Sequence, residues 1–144
     1  MKTAFITSLA GAATLCVGAV AFAQGPPASP ETVAIVDEGA AGYSVRHFPS
    51  RLHLYTYALD TPGRSACINT CISVWPPVRG NATSRPVGDW TLVPRADGDP
   101  QWAYKGAPVY VRYHDDPDSP IGEGRDDRNW RLVPNIPKTA PSAP

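Results

Sequence analysis

The 144-residue chain predicts a small, mostly β single domain, barrel- or sandwich-like, with one short helix near residues 66–74. Three observations lead there. β-Branched and aromatic runs recur along the chain, each bounded by Gly, Pro or Asp. Only one segment has the composition and stop signals of a helix. A faint internal echo suits two pseudo-repeated β halves: Tyr55 leads Asp60 by five residues as Tyr110 leads Asp115, and "WTLVP" at residues 90–94 returns as "WRLVP" at 130–134.

Residues 1–23 read as a secretory signal peptide. Lys2 precedes an alanine-rich apolar run, and Ala21-Phe22-Ala23 forms an A-x-A site, so cleavage is expected after Ala23. A lipid anchor at Cys16 is not expected, because Leu15 stands where such a site needs a small residue. Export to the periplasm or extracellular space follows, with no membrane span in the mature chain. Loss of Lys2 leaves 12 basic against 13 acidic residues, a balance that offers nothing to nucleic acid. Residues 24–30 form a proline-rich leader expected not to pack, 31–134 the β-rich domain, and 135–144 a disordered proline-rich tail.

Within the domain, strands are expected at 32–36, 43–48, 52–58, 90–94, 101–104, 109–113 and 130–133, with a hairpin turn at Lys105-Gly106. The helix would be capped by Ser65, run from Ala66 to Val74 and stop at Pro76-Pro77. Alternation on 52–58 places His53, Tyr55 and Tyr57 on one face and Leu52, Leu54, Thr56 and Ala58 on the other. The aromatic face is either a second small core or a ligand-binding strip, in which Arg112 would lie over Tyr57.

The "LYTYALDTPGRSACINTCISVWPP" segment at 54–77, "GDWTLVPRADGDPQWAYKGAPVY" and "NWRLVP" follow one another in an order that resembles a family of predicted bacterial lipoproteins, a secreted repeat of unknown function with a Y-x-(F/W/Y)-x-x-D motif. The motif positions here are Tyr55, Tyr57 and Asp60, echoed by Tyr110 and Asp115. The resemblance implies an exported envelope protein without an established activity. The chain departs from the pattern in lacking a lipidation site and in carrying Arg112 where the second copy's aromatic would stand.

Asp60 and Asp115 could serve as a carboxylate pair for glycoside chemistry. Their settings, "DTPGR" and "DDPDS", instead read as turns in which Asp accepts backbone N–H groups and Pro62-Gly63 occupies a type II turn. The acidic stretch 114–128 matches no EF-hand spacing and reads as a solvated loop. Cys67 and Cys71, the pair that survives signal removal, are expected to form a disulfide in an oxidising compartment, with Cα atoms about 6 Å apart on a helix. Such a bridge would hold the marginal helix and dock Trp75.

No nucleophile–base set or phosphate loop is visible, so the chain reads as a non-catalytic structural or binding module without a cofactor. Its partner would be an envelope component or a small ligand. Two alternatives stay open. One is a periplasmic redox or copper/zinc-handling protein using Cys67, Cys71 and one of His47, His53 and His114. The other is carbohydrate or peptidoglycan binding by Tyr55, Tyr57 and Arg112.

Overall fold

The computed structural model describes residues 25–138. The expected signal peptide, its expected cleavage site and Cys16 lie outside the described residues, as does the end of the expected tail from 139 onward. Two antiparallel sheets organise what is described. β1 (Val33–Asp37) and β2 (Tyr43–His47) form a hairpin with Val33 opposite His47 and Asp37 opposite Tyr43. The second sheet has five strands: β3 (Tyr55–Tyr57), β4 (Trp90–Arg95), β5 (Gly98–Tyr104), β6 (Ala107–Tyr110) and β7 (Trp130–Leu132). Their spatial order is β4-β5-β6-β3-β7, an open sheet and not a closed barrel.

The short strand β3 sits inside this sheet, between β6 and β7, and both of its faces are covered. Period-two alternation then sorts neighbouring residues into two cores. Leu54 and Val109 face a cluster with Val33, Val45, Val78, Trp90 and Trp102. Tyr55 and Tyr110 face the opposite cluster, with Cys67, Trp75 and Trp130. The aromatic face of the expected strand is therefore a second small core. The strand itself is shorter than 52–58: Arg51 is left-handed at φ 63, and His53 touches β2 only through an isolated bridge to Arg46.

Lys105 and Gly106, at φ 49 and 84, close the β5–β6 hairpin as expected, a turn whose two positive φ angles suit a Gly at the second position. The expected helix at 66–74 contracts to a 3₁₀ turn, Asn69–Ser73. Ile68 is extended and Asn69 left-handed, so Cys67 lies outside the turn. Competing bonds explain the contraction. Ser65 does not cap; its Oγ is held by Tyr110 and Arg95, and the Ala66 N–H is taken by Asp60. Beyond Trp75 the chain runs extended against the β6 end, with Val78 N–H donating to Val109 O and Val111 N–H to Pro76 O.

Leader and tail pack more than their composition suggests. Pro30 is buried and Ser29 Oγ donates to Val33 O. Ile136 exchanges backbone bonds with Tyr43, and Lys138 bonds Asp37, so the ordered domain extends past 134. Gly42, at φ 93, lets the Ile136 carbonyl approach where a Cβ would stand.

Gly122 makes a second close approach. A Cβ there would lie 2.6 Å from the Tyr55 ring and 2.9 Å from Trp75. Gly122→Ala is expected to lower the unfolding free energy by about 1–3 kcal/mol through overpacking, measured by urea denaturation. Unchanged stability would mean that the 114–128 loop does not seal this core.

Candidate functional site

The motif tyrosines meet at the centre of the sheet. Tyr55 is directly opposite Tyr110 across β3 and β6, and both are fully buried. Their hydroxyls cross over. Tyr55 Oη donates to Asp115 Oδ2 at 2.7 Å, and Tyr110 Oη donates to Asp60 Oδ2 at 2.8 Å. Each tyrosine is thus held by the aspartate of the other motif copy. The remaining carboxylate oxygens behave alike: Asp60 Oδ1 accepts the Ala66 N–H at 2.7 Å, and Asp115 Oδ1 accepts the Ile121 N–H at 2.8 Å. Thr61 and Arg64 exchange backbone bonds around Pro62-Gly63, with Gly63 at φ 75, as a type II turn requires.

Burial, reinforced by the facing carboxylates, raises both phenols well above the ordinary tyrosine range, so they remain donors. Burial also pushes Asp60 up, while the Ala66 N–H and the Tyr110 hydroxyl pull it down. Tyr110 has a further neighbour, Ser65 Oγ at 2.5 Å, and Ser65 in turn accepts from Arg95 Nη1 at 2.7 Å.

Arg95 is the polar centre that sequence reasoning missed. Its side chain is only 2% exposed although it lies on the edge strand β4. The β4–β5 register shifts between Val93 and Arg95, at Pro94, where no N–H is available for the ladder. The inward guanidinium donates to Ser65, to Gln101 Oε1, to Cys67 O and twice to Asp97. Gln101, itself fully buried, passes the chain on to Val109 O. All five N–H groups of Arg95 are engaged, so a buried charge is accommodated. Pro94 in a strand pattern was the available signal for a bulge. A cleft of about 470 Å³ lies over this network, lined by Arg64, Ser65, Ile68, Asn69, Arg95 and Asp97.

Cys67 and Cys71 form a disulfide, with Cα atoms 5.3 Å apart. The Cys71 carbonyl accepts the N–H groups of Val74 and Trp75, so the bridged turn places Trp75. The Trp75 ring stacks on Trp130 at 3.7 Å, and Trp130 stacks on Tyr57 at 4.4 Å. Asp126 Oδ2 accepts both indole N–H groups, from a turn at Arg125–Arg128 in which Asp126, Asp127 and Arg128 have positive φ. Neither Asp126 nor the tryptophan stack was legible in advance, since Trp75 is 51 residues from Asp126 and no local rule brings the two together.

The remaining candidates are dispersed. Tyr55 presents no open face, and Tyr57 is half-buried against Trp130. Arg112 lies over Trp75, 5.9 Å from the ring centre, and not over Tyr57. His47 Nδ1 is 2.7 Å from Ser50 Oγ, and His114 packs on Tyr113. Burial holds His47 and His53 below the ordinary histidine range. Both sulfurs are in the disulfide, and among the described residues no three His, Cys, Asp or Glu side chains gather as a ligand set.

Tyr55→Phe and Tyr110→Phe should each cost about 1.5–3 kcal/mol of stability in urea titrations, since each strands a bond to a carboxylate. A large loss for one and none for the other would break the equivalence of the two copies. The Arg95 and Arg79 guanidiniums hold Asp97 at about 2, below its ordinary 3.8. A depressed acid contributes stability that is complete above its unfolded value and lost as pH falls through the folded one. Stability should therefore decline from about pH 4 toward pH 2, and Asp97→Asn should flatten that part of the profile.

Residues 52–79 match the family model of a secreted repeat of unknown function. No curated protein and no solved structure matches the chain significantly. The matched stretch begins just before β3 and ends just after the disulfide turn and Trp75, so it contains Tyr55, Asp60 and both bridged cysteines. Their crossed partners, Tyr110 and Asp115, lie beyond it. Over residues 52–79, therefore, the chain is similar to the secreted repeat of unknown function.

Proposed function

We propose that the chain is an exported envelope or periplasmic module that works by binding or structural support and not by catalysis. The observation that carries this reading is the reciprocal use of the motif residues. Tyr55, Asp60, Tyr110 and Asp115 are spent on one another and on neighbouring backbone N–H groups. A catalytic carboxylate needs access to substrate, whereas these carboxylates face buried phenols. The disulfide fits the same reading, since such bridges persist in oxidising compartments. It closes a small loop and holds the turn that seats Trp75.

The test is the intact mass and stability of protein expressed from the full chain and recovered from a bacterial periplasm without reductant. The expected product begins at Gln24 and weighs two hydrogens less than the reduced chain. Replacing Cys67 and Cys71 together by Ala should remove on the order of 2 kcal/mol in the chain-entropy account, equivalent to a melting temperature lower by about 10 °C. Retention in the cytoplasm, or free thiols in the recovered protein, would overturn the exported reading. Full stability of the double variant with loss of a cellular activity would overturn the non-catalytic one.

A further inference from the structure

Two open sheets leave four outer edges, and three of them are guarded. On β4, Val87 and Trp90 exchange backbone bonds, and Pro94 has no N–H to offer. On β7, the Trp130 carbonyl accepts the Gly124 N–H, and the Leu132 N–H donates to the Glu123 carboxylate. The free side of β2 is held by Ile136, which exchanges bonds with Tyr43, and by Leu52, whose carbonyl accepts the His47 N–H. β1 is the exception.

The ladder with β2 fixes which groups of β1 point outward. Phe48 N–H donates to Thr32 O at one end and Glu38 N–H to Gly42 O at the other, so Ala34–Arg46 and Val36–Ser44 are the bonded pairs between them. Val33, Ile35 and Asp37 therefore turn their backbone groups away from β2. Val33 is satisfied within the chain: its N–H donates to Pro30 O and its carbonyl accepts from Ser29 Oγ. The Ile35 N–H, the Ile35 carbonyl and the Asp37 N–H have no hydrogen-bond partner among the described residues. The strand reads Val-Ala-Ile-Val-Asp, with no Pro, Lys or bulge to discourage pairing. Ala34, Ile35 and Val36 are half-buried and Asp37 is exposed, while the Ile35 side chain packs against the core beside Val33 and holds the edge in place.

We propose that β1 is a self-association edge, which pairs antiparallel with β1 of a second copy about a twofold axis through Ile35. An antiparallel edge is self-complementary under such an axis. In this register Ile35 lies opposite its own counterpart, and the two exchange both N–H···O bonds. The Asp37 N–H meets the carbonyl of Val33 in the other copy, which has a second lone pair beside the one given to Ser29. Ala34 faces Val36 of the other copy, so apolar side chains meet apolar ones. Charge favours the same occupant. The only ionisable residue of the strand, Asp37, is already paired with Lys138 Nζ at 2.6 Å, and the axis sends the two Asp37 side chains to opposite ends. A register centred on Asp37 would set the two carboxylates against each other. The product is a continuous four-stranded sheet with the two β1 strands at its centre. Two five-residue strands make a small interface, so the dimer should exchange with monomer. The inference goes beyond the proposed function and does not depend on it.

The test is sedimentation velocity of mature, oxidised protein over a range of concentrations, with amide hydrogen exchange read by NMR on the same samples. A reversible monomer–dimer equilibrium is expected, in which the Ile35 and Asp37 amides become protected as the dimer fills. A mixture of labelled and unlabelled copies should show a contact between Ala34 Hα of one copy and Val36 Hα of the other. Val36→Lys should weaken association by ~10-fold or more, with its thermal midpoint reporting that the monomer still folds. Monomer at every concentration, a dimer whose Ile35 amide exchanges freely, or a folded Val36→Lys variant that dimerises unchanged would overturn the proposal. So would a monomer that gains Ile35 protection only from an added, unrelated extended peptide, which would give the edge to a foreign strand.

Discussion

A tyrosine hydroxyl removed from water must find an acceptor, and at the centre of this sheet two such tyrosines face one another. Tyr55 and Tyr110 solve the problem by exchange, each donating to the aspartate that follows the other. The constraint is strong because both partners are costly to bury alone: a phenol without an acceptor and a carboxylate without donors. Once the strands pair, the two turns carrying Asp60 and Asp115 must come to them. The surrounding loops are positioned as a consequence. Ala66 and Ile121 are drawn in by their N–H bonds to those same carboxylates.

The disulfide acts on the next layer out. A 3₁₀ turn of five residues has little stability of its own, and Ser65 and Ala66 are already committed to Tyr110 and Asp60. The bridge fixes Cys71, whose carbonyl receives Trp75, and Trp75 completes the stack with Trp130 and Tyr57. Arg112 covers the stack at Trp75, and Asp126 ties both indoles. Stacked and edge-on aromatic pairs contribute about 0.5–1.5 kcal/mol each beyond their area burial. Large rings with fixed polar tips suit a small domain that has few aliphatic residues on this face.

Arg95 joins the two systems. It reaches the Cys67 carbonyl on one side and, through Ser65, the Tyr110–Asp60 pair on the other. Every donor of the guanidinium is occupied, so the network rigidifies the core beneath the cleft and offers that cleft no free charge from Arg95.

The sequence alone determined what depends on local geometry. β-Branched runs placed all seven strands, Lys105-Gly106 required a tight hairpin, Pro62-Gly63 a type II turn, and a close cysteine pair was within bridging distance. The spacing of tyrosine and aspartate was also visible, together with the fact that it occurs twice. Only the tertiary structure decided which aspartate serves which tyrosine, because the true partners are 60 and 50 residues apart and no local rule links them. It likewise reduced the expected helix to a 3₁₀ turn, since the residues meant to begin it were claimed by β4 and β6. Burial of Arg95 depended on a bulge at Pro94 that turns one side chain inward. Long-range pairing, and not propensity, settled each of these outcomes.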